Sequence, residues 1–447
     1  MKLRLALSLP LFAGICLAQG LFQANKISTI QLAFAPEQYR ALEPERSFGG
    51  SFNTGRGEWL QGKPGKRNGL ASAMGIEFKT VHGSITIDDR PFSDVAVRYK
   101  GNGTYLDAMS SGKYSYKVDL NKFVKGQSFS EVTTFNLHNN ITDPSWMNEP
   151  LAYRLYRDAK VPAPRTSYAR VYLAVPGKFN KRYAGLYSIV ENVDEHFIAR
   201  NFPGNSANKN GGLFKPVSTN LFNYLGPDWA KYNQTYDPKG NVTAEQKQRV
   251  IDFTKLVTQA SDTEFAARLP EFVELDEFAR YMAVMVFLSD VDGILGSGQN
   301  FYLYLEPKTQ KFWFLPWDQD HSFGQFPYTG SQEQRNDLSI HRPWIGRSRF
   351  LERVFAVDAF KKLYLARLEE FSRTIFQPQR FAAQVDETAA LIRPAVQEEG
   401  KPDRFDRAVA GTSQSRVPIK PFVVIRAKSV ADQLAGRSRG THIEGRF

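Results

Sequence analysis

The 447 residues carry 58 Lys and Arg against 46 Asp and Glu, a formal charge of +12, and a single cysteine. One cysteine excludes a disulfide framework and a zinc–thiolate site, and the length points to two or three core-bearing units. The excess positive charge is spread along the chain, densest near Lys63–Arg67 and Arg404–Arg446, with no basic helix or aromatic-studded basic sheet beside it. That pattern fits a basic surface with affinity for acidic partners or phosphates, and argues against nucleic acid.

Residues 1–18 read as a secretory signal peptide: Lys2 and Arg4 precede the apolar run Leu5–Leu17, which is too short to span a bilayer, and Ala18 offers a cleavage point. Cys16 would leave with it. No second candidate for a transmembrane segment follows, so the expected destination is secreted, periplasmic or cell envelope. From Ile27 to about Phe129 short β-like runs dominate, such as Ser84–Asp88 and Val95–Tyr99, separated by Gly and Asn turns. Pro144–Asp158 reads as a helix capped by Asp143, with Pro150 expected to kink it. Strands resume at Ser167–Leu173 and Tyr183–Val190. Residues 201–243, rich in Asn, Gly and Pro, read as a long surface excursion. Helical patterns then cover Ala244–Gln259, Leu275–Leu288 and most of Phe350–Val396. The plan is α+β in two lobes: a β-rich N-lobe at 19–190 and a mainly helical C-lobe at 191–447.

The chemistry concentrates in two places. Asn300–Leu305 and Lys311–Trp317 read as a hairpin followed by Asp318 and Asp320. If extended geometry continues past Trp317, these acids share a face and can hold Mg²⁺ or Ca²⁺. Just upstream, Asp290 and Asp292 follow the helix through Met282–Leu288, and a glycine-rich loop leads to Asn300. The helix end thus delivers an acid, the loop an amide and the hairpin two more acids, all within a short stretch of chain. In the N-lobe, "VRYKGNGTY" (97–105) is a strand breaking into a glycine turn suited to an anion, and "GKYSYKVDL" (112–120) places Lys113 and Lys117 on one strand face. Lysines also occur on edge strands to deter aggregation.

Taken in order, "RYKGN", the Lys113/Lys117 pair, "DPSWMNE", "GLYSIVENVDEHF", "QNFYLY", "FWFLPWDQDHSFG" and "IKPFVVIRAKSVADQL" resemble the CotH-type (spore coat protein H) kinases over nearly the whole chain after residue 18. The resemblance implies an atypical protein-kinase-like fold and Mg²⁺-dependent transfer of the ATP γ-phosphate to Ser or Thr of an exported or envelope protein, with Mn²⁺ or Ca²⁺ as alternative ions. It implies Asp292 as catalytic base, and Asp318, Asn300 and Asp320 as metal ligands. Lys117, with Lys113 beside it, is implied as the phosphate lysine. Arg98 would orient the Gly101 turn, Glu149 would pair with the lysine, and Glu191 would sit at the hinge. Two departures stand out: Asp290 occupies a position where the family often has Asn, leaving Asp290 or Asp292 as base, and Gly103 replaces a small polar residue.

No G-x-S-x-G and no H-E-x-x-H occurs, and the six histidines are scattered, which removes serine hydrolases and zinc peptidases. The rival reading is a catalytically silent surface protein or adhesin whose acids hold Ca²⁺ for structure.

Overall fold

The computed structural model describes residues 20–44, 60–204, 211–411 and 417–445. The signal-peptide reading of residues 1–18 lies outside them. Seven strands form a closed barrel: Ile27–Ala33 (β1), Val81–Ile87 (β2), Arg90–Lys100 (β3), Ser115–Asp119 (β4), Thr134–His138 (β5), Thr166–Val175 (β6) and Phe179–Glu191 (β7). Their order is β1-β2-β3-β4-β5-β7-β6, and the ring closes through a parallel β1–β6 ladder that sets Ile30 beside Val171. Period-2 alternation points Ile30, Leu32, Val95, Val97, Tyr99, Tyr116 and Val118 into one apolar core. Closure leaves the barrel no free edge. Lys117 is therefore not on an edge strand, since β4 pairs with both β3 and β5, and an anti-aggregation role is removed.

The helix between β5 and β6 begins at Asn148, not Pro144. Asp143 accepts from the Ser145 and Asn148 amides (2.8 and 2.7 Å), holding a turn ahead of the helix. Pro150 consequently falls in the first turn, where no amide hydrogen is needed, and the expected kink has no cause. Leu151, Leu155 and Tyr156 of this helix belong to a second core built around the helix Leu275–Leu288, where every residue from Tyr281 onward is buried. A helix apolar all round has to be enclosed. The helices Ala244–Gln259, Asp358–Arg373, Pro378–Glu398 and Ile419–Leu434 complete the carboxy-terminal region. Among the described residues no helix is long and apolar enough to cross a membrane.

Residues 201–243 are not a surface excursion over their described part. They supply Gly212–Phe214 (β8) and Pro238–Lys239 (β9) to a sheet of order β11-β10-β8-β9, with Phe301–Leu305 (β10) and Phe312–Pro316 (β11) as the expected hairpin. Phe214, Phe222, Tyr232 and Tyr236 are buried, and Phe222 packs 4.4 Å from Phe350 and 5.1 Å from Phe253. Single aromatics between turn residues show no periodicity, which is why the sequence pattern hides them.

The barrel is bolted to the helical region on one side by a buried ion pair. Lys113 Nζ lies 2.7 and 2.9 Å from the Glu399 carboxylate, and the two side chains are each only 9 % exposed. The Leu186 amide donates to the same carboxylate (2.9 Å). Gly185, at φ +126°, permits the approach, because a Cβ there would stand 2.7 Å from Lys113 Cε and 2.8 Å from Glu399 Oε2. Glu399→Ala leaves a buried ammonium without its partner, so urea unfolding should show a loss of about 3–5 kcal/mol. A loss below about 1 kcal/mol, the range of exposed pairs, would contradict this account of the clasp.

Candidate active site

Between barrel and helical region lies a cleft made of two cavities with shared walls. The inner one is lined by Lys100 and Gly101 at the end of β3, His138 at the end of β5, Glu149 on the helix, and Trp317, Asp318 and Asp320 beyond β11. The outer one, ≈ 650 Å³, adds Lys117, Asn192, Val193, Ile198, Leu213 and Tyr302. Arg67, Arg98, Lys100, Lys215 and Trp317 border both.

β11 stops at Pro316, and Asp318 adopts a left-handed conformation (φ +56°). Strand alternation therefore does not bring Asp318 and Asp320 together, contrary to the sequence expectation; the turn does, and both line the inner cavity. The Asp318 amide donates to Tyr153 Oη (3.0 Å), whose hydroxyl donates to Glu149 Oε1 (3.0 Å). Glu149 Oε2 lies 2.6 Å from His138 Nδ1, and His138 Nε2 faces Lys100 Nζ at hydrogen-bond distance. Lys100 must donate there, so the imidazole accepts through Nε2 and donates through Nδ1 to Glu149. Three side chains, Tyr153, Glu149 and His138, thus connect the Asp318 amide to the lysine. Trp317 lies between two cations, Lys100 at 5.0 Å and Lys215 at 5.3 Å from its ring centre. Asp320 Oδ2 accepts from the Thr142 hydroxyl (2.5 Å), and Asn148 Nδ2 donates to the Asp320 carbonyl (2.7 Å).

The cations crowd one another. Burial pushes Lys100 and Lys117 down to about 8, with Arg98 adding to the effect at both. Lys215 is held well below its usual range by burial, Arg67 and Lys239, and Arg98 is lowered by burial and Arg67. Arg67, Arg98, Lys100, Lys117, Lys215 and Lys239 so share one cleft, a built anion site. Burial works upward on Asp318 too, but Lys100, His138 and Lys215 outweigh it and hold the carboxyl below its usual range. Asp320 is raised by burial, reinforced by Asp318.

Asp290 and Asp292 are buried behind this wall, and neither lines the two cavities. Asp292 accepts from Asn300 Nδ2 (2.9 Å) and Gln299 Nε2 (3.2 Å), which leaves Asn300 Oδ1 turned elsewhere. The Trp317 amide donates to the Asn300 carbonyl (3.1 Å), tying this loop to the hairpin. Asp290 Oδ1 accepts from the Asp292 amide (3.1 Å) while its Oδ2 has no partner, and burial with Asp292 nearby raises its carboxyl to about 7. His321 is close enough to lower the carboxyls of Asp290, Asp292, Asp318 and Asp320 alike.

Of the residues singled out in the sequence, Arg98, Gly101, Lys117, Glu149, Asp318 and Asp320 line the cleft. Asn300 and Asp292 stand together one step away. Lys113 is occupied by Glu399, and Glu149 bonds to His138 and Tyr153. Glu191 ends β7 beside Asn192 and Val193, clamped by Arg165 (2.7 Å) and Arg200 (2.6 Å). Lys100, His138, Lys215 and Trp317 were not anticipated. Lys100 had a signal, since it lies two residues from Arg98 on one strand face before the glycine turn. Lys215 and His138 had none.

The CotH kinase protein family matches residues 97–430, three-quarters of the chain. The chain belongs to that family. As a CotH kinase protein it is 23% identical over 323 residues to the inner spore coat protein H of Bacillus subtilis (strain 168), covering 70% of this chain and 82% of that one. A chain of the Shewanella oneidensis MR-1 HipA–HipB toxin–antitoxin complex with its operator DNA aligns at a TM-score of 0.30 and 9% identity, covering 72% of this chain and 58% of that one. So slight a likeness carries no argument.

A CotH kinase implies a nucleotide and a divalent ion, and the donor set fits the ion. Asp318 and Asp320 offer hard oxygens in the inner cavity, the ligands Mg²⁺ prefers, and Asn300 stands behind them with Asp292. His138, Glu149 and Asp318 also present atoms within 4.8 Å of one another. Both His138 nitrogens are already engaged by Lys100 and Glu149, so the oxygen set is the better site. The cation cluster makes a direct prediction. Inorganic triphosphate at about 100 times its Kd should stabilise the protein by about 2.7 kcal/mol in thermal denaturation. Added salt should erode the effect, and Lys215→Met should weaken it. No stabilisation by triphosphate would contradict the anion site.

Proposed function

We propose that this CotH kinase transfers the γ-phosphate of ATP to a Ser or Thr hydroxyl of a protein, using the barrel (19–190) as N-lobe and the helical region (191–447) as C-lobe of an atypical kinase. The observation that carries the reading is the meeting of six cations with Asp318 and Asp320 in one cleft between the two regions. A calcium-stabilised adhesin would have no use for those cations.

In this reading the base packs against Val193, Ile198, Leu213 and Tyr302, beside the strand end that Glu191 clamps through Arg165 and Arg200. Lys100, aimed by His138 and Glu149, holds phosphate oxygens next to Asp318, while Arg98, Lys117 and Lys215 line the way out. Gly101 (φ +109°) turns the chain so that backbone approaches the same space. Lys113 is assigned to the clasp. A bound Mg²⁺, with Mn²⁺ or Ca²⁺ as alternatives, would offset charge on the β- and γ-phosphates, and Asp318, Asp320 and Asn300 are the residues that would hold it. The acceptor oxygen forms its bond to the γ-phosphorus as the bond to the β–γ bridging oxygen breaks and its electron pair leaves with ADP. Asp292, oriented by Asn300 and Gln299 and raised by burial, takes the acceptor proton. Asp290 supports its amide. The amino-terminal segment places this chemistry, in the same proposal, on an exported or envelope substrate.

Labelled-phosphate transfer tests the assignment. Asp292→Ala should cut transfer by about 10²–10⁴-fold while keeping the ATP–Mg²⁺ thermal shift, and Asp290→Ala should retain most activity. A dead Asp290→Ala beside an active Asp292→Ala would move the base by two residues. A wild type that never transfers phosphate would leave the silent surface-protein reading.

A further inference from the structure

Behind Asp320 a second groove adjoins the inner cavity across one hydrogen bond. The Thr142 hydroxyl that donates to Asp320 also lines a separate hollow of ≈ 460 Å³, together with His321, Tyr328, Arg404 and Arg407. His321 forms part of the groove wall, one residue along the chain from Asp320. The groove shares no lining residue with the outer cavity, which Lys117, Asn192 and Lys239 border. A hydroxyl presented from the groove therefore approaches the site on its Thr142–Asp320 side.

The groove has a definite chemistry. Arg407 is exposed on the helix Pro402–Val409 and has no ion pair among the described residues. Arg404, one turn earlier, gives one N–H to the Ile141 carbonyl (3.3 Å) and packs its guanidinium 5.9 Å from the Trp146 ring centre. Asp107 is the lone acid in the lining. Tyr328 is 77% exposed, yet its ring is held edge-on against Phe326 at 5.2 Å. A large exposed aromatic beside two arginines, in a groove that meets Asp320 through Thr142, offers an apolar wall with a bidentate carboxylate reader.

We propose that this groove binds the acceptor segment of the substrate, and that it selects an extended Ser- or Thr-containing stretch flanked by Asp or Glu, read by Arg407 and Arg404. The proposal rests on the kinase reading above. It is a statement about charge complementarity at one wall, so a charge reversal there should move acceptor affinity and leave the nucleotide alone.

The test uses the full chain with ATP and Mg²⁺ and three peptides with one serine each, flanked by acidic, neutral or basic residues. The acidic peptide should show the lowest KM, about tenfold below the basic one, the size of one charge-assisted contact. Arg407→Glu should raise KM for the acidic peptide about tenfold with kcat little changed, and keep the wild-type ATP–Mg²⁺ thermal shift. Arg407 is exposed, so the fold should tolerate the change; Arg404→Gln provides the second reading. Equal use of the three peptides, preference for the basic one, labelling of none, or indifference to Arg407→Glu would each overturn the groove assignment while the ATP shift stands. A chain that shows no ATP shift at all fails at the kinase reading and takes the groove with it.

Discussion

The architecture turns on one half-buried carboxylate. Asp318 leaves the hairpin where little water reaches it, and an ionised acid in such a place requires partners. Lys100 comes from β3, His138 from β5 and Lys215 from the chain just after β8. The barrel and the helical region must meet at Asp318 for Lys100 and His138 to arrive, while Lys215 comes from the sheet that carries Asp318 itself. Tyr153 and Glu149 then fix the geometry from a helix that belongs to the second core but bonds to a histidine of the barrel. The same contact explains the left-handed backbone at Asp318, because the turned peptide gives its amide to Tyr153.

Charge is handled differently at the two sides of the interface. At the back, Lys113 and Glu399 neutralise each other and are sealed by Leu186 and Gly185. At the front, Arg67, Arg98, Lys117, Lys215 and Lys239 outnumber the nearby acids and repel one another. A protein that pairs its charges so completely on one side and leaves them in surplus on the other holds an anion in the surplus. This contrast is the physical content of the kinase proposal for this CotH-family chain.

The sequence was legible where periodicity was strong. Ala244–Gln259 and Leu275–Leu288 occupy the residues their patterns indicated, and the β10–β11 hairpin follows from its Pro-Lys-Thr-Gln turn. What could not be read is non-local. The parallel β1–β6 ladder closes the barrel between segments far apart in the chain, and no local pattern encodes it. Phe222 and Tyr236 looked like loop residues because each stands alone among turn formers. Lys113, which the spacing sets beside Lys117 as a second phosphate lysine, pairs with Glu399, a partner so distant in the chain that spacing cannot show it. Lys100 was in plain view in "RYKGN" and was passed over for the strand after it. Asp318 and Asp320 both line the inner cavity, but a turn and not a strand face joins them, and Asn300 stands behind with Asp292.

The central claim is that Lys100, aimed by His138 and Glu149 toward Asp318, is the lysine that holds the nucleotide. Calorimetric titration of ATP with Mg²⁺ into Lys100→Met, Lys117→Met and Lys113→Met measures this directly. The account predicts that Lys100→Met weakens Kd by at least about tenfold, that Lys117→Met has a smaller effect, and that folded Lys113→Met binds as the wild type does. Unchanged affinity in Lys100→Met, with binding lost in Lys117→Met or Lys113→Met, would contradict it.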